Sequence, residues 1–525
     1  MFVSIRFALL TVLLMLGLAA PAAASHPPTQ HEQQRISIED ALMGFNLQAQ
    51  MPISNSFECE GGMAGPYPCE NVDLEGYVPL PLLGGATGND IWGWTDPATG
   101  REYAMMGTSH GTGFVDVTDP QDPILVGVLP TAGIPDNVLW RDIKVNDNYA
   151  FIVSEISGSG MQVFDLTRLR DAGETPTMFD ADAFYDQMSS THNISINEQT
   201  DFAYAVGTND CVHNDENGGL HMIDISDPQN PTFAGCAFDD GFADEQSNNY
   251  VHDVECVIYD GPDPDYQGRE ICFGSNENVV AIYDVTDKSN PRVISDTGYP
   301  TAAYTHQGAL TPDKRYFLFG DELDEQSNGQ PTTTYILDVS DLDSPPTPVP
   351  FEHETASIDH NMYTHGNRVF QSNYNAGFRI LEYDNASLAA GQLNEVASFD
   401  VVPAVDIAEF AGTWSNYRFS GSGNVVVSTI ENEVNGLFVL KPRLGGGDGD
   451  GDGDPTSEPG AGPGAGGGPT GAGSAPPLAQ PQRAAAKKCK KAKGKKGKKK
   501  AKGKKAAKKC KAKGKGKRKG KRGRR

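Results

Sequence analysis

The chain has 525 residues, with 43 Lys and Arg against 69 Asp and Glu, a formal net charge of −26. Residues 483–525 hold 26 of the basic residues and no acidic one, so the other 482 residues carry 17 basic against 69 acidic groups. Phosphate repels such a polyanion, which excludes nucleic-acid binding by the folded part; 38% hydrophobic content with 59 Gly and 35 Pro also argues against a helical bundle and for a turn-rich β protein.

Residues 1–24 read as a signal peptide: Arg6 supplies the positive start, Phe7 to Leu18 the apolar run, and Ala22-Ala23-Ala24 a small-residue cleavage site before Ser25. A membrane anchor needs about 20 apolar residues. This run is shorter and ends at Pro21, and no later segment is apolar enough to span a bilayer. The mature chain is therefore expected to be exported, without a transmembrane helix. In the N-terminal segment 25–70, Ser37 to Met43 reads as a short capped helix. The same segment ends in a Gly/Pro loop between Cys59 and Cys69. Six cysteines form three neighbouring pairs, Cys59–Cys69, Cys211–Cys236 and Cys256–Cys272, which fits disulfides in an oxidising compartment. No Cys-x-x-Cys spacing favours zinc.

From residue 71 to 443 one phrase recurs: Asp116-Val-Thr-Asp-Pro120, Asp224-Ile-Ser-Asp-Pro228, Asp284-Val-Thr-Asp-Lys288 and Asp338-Val-Ser-Asp-Leu342, with Phe164-Asp-Leu-Thr167 a degenerate copy. Asp and Ser/Thr side chains bond nearby backbone N–H groups, so each copy is a turn between strands. A second landmark opens each unit: Asn89-Asp90, Arg141-Asp142, His192-Asn193, His252-Asp253, His306-Gln307, His360-Asn361 and Thr413-Trp414. Their second members lie 52, 51, 60, 54, 54 and 53 residues apart. Seven units of that length, each with room for four short strands, predict an all-β, seven-bladed β-propeller. The last unit stops at Pro442 and is expected to take its outer strand from Val72 to Pro81, which hides the sheet edge.

The histidines carry the most chemistry. His192, His252, His306 and His360 start the inner strands of four consecutive blades, and Glu155, Asp321 and Glu322 end second strands on the same face. These seven are the candidate metal ligands. Neutral imidazole suits Zn, Cu, Fe or Ni, and the carboxylates would admit Mn or calcium. Asn193, Asp253, Gln307 and Asn361 are expected to orient the rings from behind. The competing reading packs repeated histidines between blades as structure. Asp90 and Asp142 read as turn or packing residues; the run Asp321-Glu322-Leu-Asp324-Glu325 reads as an exposed charge run, with calcium binding as its other use. His213, His353 and His365 read as surface residues.

Residues 444–482 are Gly, Pro, Ala, Ser and Asp, a composition that cannot bury a core, and 483–525 form a flexible polycation containing Cys489 and Cys510. An anionic envelope polymer or membrane surface is the expected partner of that tail.

The entry run Cys59-Glu-Gly-Gly-Met-Ala-Gly-Pro-Tyr-Pro-Cys69 with Val72-Asp-Leu74 resembles that of the choice-of-anchor B family of exported bacterial proteins. Thr191-His-Asn-Ile-Ser195, His252-Asp-Val-Glu-Cys256, Thr305-His-Gln-Gly308 with Gly320-Asp-Glu-Leu-Asp324, and Gln371-Ser-Asn-Tyr-Asn-Ala-Gly377 are similar to that family's pattern. The turn phrases resemble its LVIVD repeat. The resemblance covers roughly residues 55–443 and implies a cell-surface location; the family's varied C-termini are replaced here by the linker and polycation. Two function classes stay open. One is a surface-associated module that binds a protein or glycan ligand; the other is a metal-dependent extracellular hydrolase or oxidoreductase built on the histidines.

Overall fold

A computed structural model describes residues 56–444 except 86, 134–139, 174, 214–215, 239–249, 404 and 431–435. The expected signal peptide, the helix at Ser37–Met43, Glu431, the linker from 445 and the basic tail with Cys489 and Cys510 lie outside the described residues.

Seven antiparallel sheets repeat in chain order around a channel, and a two-stranded hairpin, Val212–His213 with Glu216–Asn217, stands apart from them among the described residues. The inner strands are Gly88–Thr95, Arg141–Asn146, Asn193–Asn197, Asp253–Ile258, Thr305–Leu310, Met362–His365 and Gly412–Arg418. The fold is a seven-bladed β-propeller. The second strands Glu270–Asn276, Tyr316–Asp321 and Val425–Ile430 are buried along their whole length because neighbouring blades cover both faces. That is why they read as unbroken apolar runs and not as alternating ones. The core is accordingly a set of interblade layers. Between blades four and five, Phe273 stacks on Phe317 at 5.7 Å, and within blade five Phe319 stacks on Tyr335 at 5.2 Å in the same layer. Each such ring contributes roughly 1.5–3 kcal/mol by leaving water.

The recurring phrase is the turn from third to fourth strand, and its chemistry repeats. Asp116, Asp224, Asp284 and Asp338 each accept a bond from the N–H two residues on, at 2.9–3.1 Å. Asp165 in the degenerate copy does the same for Thr167. The ring closes through Val72–Pro79, the outer strand of blade seven, paired from Val72↔Pro442 to Pro79↔Gly436. Three disulfides form as expected: Cys59–Cys69, Cys211–Cys236 and Cys256–Cys272.

Several features depart from the four-strand plan. Tyr67–Glu70 adds a fifth strand to blade six, and Thr177–Met178 adds a parallel one to blade one. The acidic run is not exposed: Asp321 and Asp324 are 0% and Glu325 4% accessible, because the chain turns inward here between blades five and six. His353 is also buried, bonded to the Thr334 hydroxyl at 2.9 Å, since it lies on the covered side of its strand end.

Candidate functional site

The four landmark histidines stand side by side at one end of the channel. Ring centres are 4.3 Å apart for His192–His252, 4.2 Å for His252–His306 and 4.4 Å for His306–His360. Trp414 of blade seven follows His360 at 4.2 Å and stacks on Trp140 at 5.0 Å; Trp140 returns to His192 at 6.3 Å. The result is a closed collar of six aromatic rings. Tyr304 and Tyr374 pack on it at 5.2 Å from His252 and 4.8 Å from His360.

Ring orientation is set by the neighbouring blade. His252 Nδ1–H donates to the His306 carbonyl at 2.9 Å, and His360 Nδ1–H donates to the Trp414 carbonyl at 2.5 Å. A carbonyl only accepts, so Nδ1 carries the proton in both rings and Nε2 presents a lone pair. His360 Nε2 faces Glu322 Oε1 at 3.4 Å, and His306 Nε2 lies 3.7 Å from Glu322 Oε2. One donor atom from each of the three falls within 4.8 Å of the others. Burial pushes Glu322 up to about 7 and His360 down to about 3, and holds His252 and His306 well below the usual imidazole range. His192 differs. Burial works against its charged form, but the Glu155 carboxylate bonded to Nδ1 at 2.7 Å outweighs it, and the ring sits above its ordinary value.

Not every expected ligand points here. Asp321 accepts bonds from the Ala303 and Tyr304 N–H groups and the Tyr299 hydroxyl, all at 2.7 Å, which ties down the 299–304 loop. The residues after the histidines face the other way, as alternation along a strand requires. Asn193 donates to the His252 carbonyl at 3.1 Å, and Gln307 exchanges two bonds with the Met362 backbone at 2.8 and 3.0 Å, so both clip one inner strand to the next. Asp253 accepts from Val254 N–H and Asn193, and burial raises it to about 7. Asn361 is buried at the start of blade six. The ring nitrogens of His252, His360 and His192 are held instead by backbone carbonyls and Glu155.

Behind the collar the channel opens into a cavity of about 340 Å³ lined by residues that follow the histidines along the inner strands. Lys144 projects there. Its Nζ lies 2.6 Å from Asp142 Oδ1, 3.5 Å from Asp90 Oδ2 and 4.5 Å from the Trp92 ring centre. Burial opposes the ammonium, but Asp142 and Asp90 hold its pKa above the usual lysine value. Burial likewise pushes Asp90 well up, while Lys144 overcomes burial at Asp142 and keeps that carboxyl ionised. The two aspartates also accept from Ile143 and Ile194 N–H groups of the following blades.

Sequence reasoning missed Trp140, Tyr304, Tyr374, Lys144 and the ring role of Trp414. A signal existed for the tryptophans. Trp140 immediately precedes the Arg141 landmark and Trp414 belongs to the seventh, so both are aromatic within one position of the place histidine fills elsewhere.

Fold and turns define the class of protein: a β-propeller carrying LVIVD repeats. The LVIVD repeat family model matches residues 214–237, which include the turn phrase Asp224-Ile-Ser-Asp-Pro228. No curated protein matches the chain. Among solved structures it is similar to the Cps50 (Swd1) β-propeller domain of Myceliophteria thermophila, with 11% identity over 70% of this chain and 99% of that one and a TM-score of 0.45. It is also similar to hydrazine synthase of Kuenenia stuttgartiensis, at 14% identity over 66% and 96% of the two chains and a TM-score of 0.40. A protein from Lactobacillus plantarum aligns at 13% identity over 65% and 89%, again with a TM-score of 0.40.

Proposed function

We propose that this protein is an exported, cell-surface-associated binding or scaffold module of the choice-of-anchor B kind, whose propeller holds one divalent transition metal through His306, His360 and Glu322. One observation carries the metal. His360 Nε2, already deprotonated because Nδ1–H is committed to the Trp414 carbonyl, faces a carboxylate oxygen at 3.4 Å. A cation between them would serve both acceptors, beside the bond that Glu322 Oε1 already accepts from the Tyr374 hydroxyl at 2.7 Å. Tetrahedral zinc with bonds near 2.0–2.1 Å would put its nitrogen and oxygen ligands roughly 3.3 Å apart. His306 at 3.7 Å supplies the third donor.

The ligand is a protein or a glycan. Trp92, Tyr363 and Tyr417 offer aromatic faces beside Lys144, Asp253 and Glu255 in a cavity of about 340 Å³, a size and chemistry suited to sugar rings or a side chain of a partner. The enzyme reading uses the same metal, with the Glu155–His192 pair as acid–base couple. It is the weaker reading because His306 and His360 are each 2% accessible, which leaves a substrate little approach. The 26 basic residues of the tail support attachment to anionic envelope polymer or lipid headgroups.

Elemental analysis of the full chain tests the metal. Stoichiometric zinc, or another first-row metal, should vanish in the His306→Ala, His360→Ala variant; metal-free wild type purified without chelator would refute the centre. Deleting 483–525 should move the protein from the cell fraction to the medium. Unchanged fractionation would refute the anchoring role.

A further inference from the structure

We propose that Asp324, Glu325 and Asp359 bind a calcium ion between blades five and six. Asp324 and Glu325 open the short helix Asp324–Asn328 that follows the second strand of blade five. Asp359 comes from a different blade, just before the inner strand of blade six. The fold buries all three, at 0%, 4% and 1% accessibility, and brings one carboxylate oxygen of each within 4.8 Å of the others.

Their hydrogen bonding leaves a set of oxygens free. Asp324 Oδ2 accepts from the Tyr335 hydroxyl at 2.7 Å and from Gln330, while Asp324 Oδ1 is buried with no partner. Glu325 Oε1 takes the Asp359 N–H at 3.4 Å, and Oε2 is unpartnered. Both oxygens of Asp359 are buried and unpartnered. Gly320 shows that this carboxylate has a made seat, since a Cβ there would collide with Asp359 Oδ2.

Three carboxylates removed from water cost several kcal/mol each unless something positive joins them. Shared protons are the competing account, since burial raises all three carboxyls and Glu325 lies within proton-sharing reach of both Asp324 and Asp359; a calcium ion would instead join all three carboxylates at once. An all-oxygen, all-anionic donor set selects a hard cation over the transition metals that imidazole prefers. Calcium bonds of 2.3–2.6 Å place opposite oxygens about 5 Å apart, which fits the observed spread. Magnesium keeps several waters, and a site this buried gives them little room. The donors share no residue with the His306, Glu322 and His360 group, so either centre can be lost without the other.

The test is calorimetric titration of the EGTA-treated full chain with calcium chloride, alongside thermal unfolding with and without the ion. Wild type should bind one calcium and melt higher in its presence. The isosteric variants Asp359→Asn and Glu325→Gln should each weaken binding at least tenfold and lose the calcium-dependent shift, and Gly320→Ala should do the same by displacing Asp359. His360→Ala should keep the calcium response while losing transition metal. The proposal is overturned if wild type shows neither heat nor a melting shift, if Asp359→Asn binds calcium as wild type does, or if magnesium binds equally well.

Discussion

Replacing Lys144 with Ala should destabilise the propeller by about 3 kcal/mol at pH 7. The ammonium faces Asp142 at 2.6 Å and Asp90 at 3.5 Å, both nearly inaccessible, and removing one partner from a buried ion pair costs about 3–5 kcal/mol because the other charge is left without compensation. Lys144 keeps 15% side-chain exposure to the channel, which sets the loss at the lower end. About 3 kcal/mol is roughly a hundredfold in the folding equilibrium. With an unfolding entropy of about 2.1 cal/mol/K per residue over roughly 390 ordered residues, it lowers the melting temperature by about 4 °C. In wild type the Asp142 pKa is depressed, so its contribution is present above the unfolded value near 3.9 and is lost as pH falls through the folded one. Without Lys144, burial dominates and raises the folded pKa. Stability is then fully present below about 3.9 and is lost as pH rises through the new value, so the deficit should shrink between pH 7 and pH 5. Urea titrations of wild type, Lys144→Ala and Lys144→Ala with Asp142→Asn at both pH values measure this, and the double variant should recover part of the loss. A single variant within about 0.5 kcal/mol of wild type, or a deficit independent of pH, would refute the reasoning.

Burial holds His353 at about 3, against about 6.5 unfolded. For a base whose folded pKa is lowered, the contribution is intact above about 6.5 and is lost as pH falls, at up to about 1.4 kcal/mol per pH unit. His353→Gln should flatten the stability profile between pH 6 and pH 4 by about one proton; an unchanged slope in urea titrations counts against it. Cys256 and Cys272 face each other across the first two strands of blade four and close a loop with a separation of 16 residues. The Cys256→Ala, Cys272→Ala variant should lose about 3 kcal/mol by the loop-entropy estimate, read as a lower denaturation midpoint under oxidising conditions. Equal midpoints would show that the interblade core alone holds those strands.

The propeller was legible because its determinants are local and repeated. Asp-Val-Thr-Asp turns mark the same point in each blade, and the spacing of the histidine landmarks counts the units. Side-chain direction follows from the same register, which is why four histidines and Glu155 or Glu322 could be expected on one face. What escaped depends on contacts between blades. Nothing local to Asp359 shows that it meets Asp324 and Glu325, nor does Asn193 reveal that it clips the next strand and not its own neighbour's ring. The acidic run looked solvent-exposed because charge is usually a surface marker, and here three-dimensional packing overrides that prior. His353 failed for the same reason.

Closure by Val72–Pro79 has a consequence for the order in which the chain organises itself. The Asp73–Arg443 ion pair at that seam joins residues 370 positions apart. Bringing such ends together costs about 5 kcal/mol of chain entropy if nothing between them is formed. Blades one to five, and the four strands of blade six from Met362 to Phe399, can assemble from sequence-local hairpins, each shortening the path between the ends, so the N-terminal strands at the seam are best added last. Until residues 436–442 reach it, the N-terminal strand lacks its partner, and the third strand of blade seven remains an open template for another chain. Folding speed and aggregation risk therefore converge on one seam, where the ring depends on strands from the start of the propeller meeting those at its end.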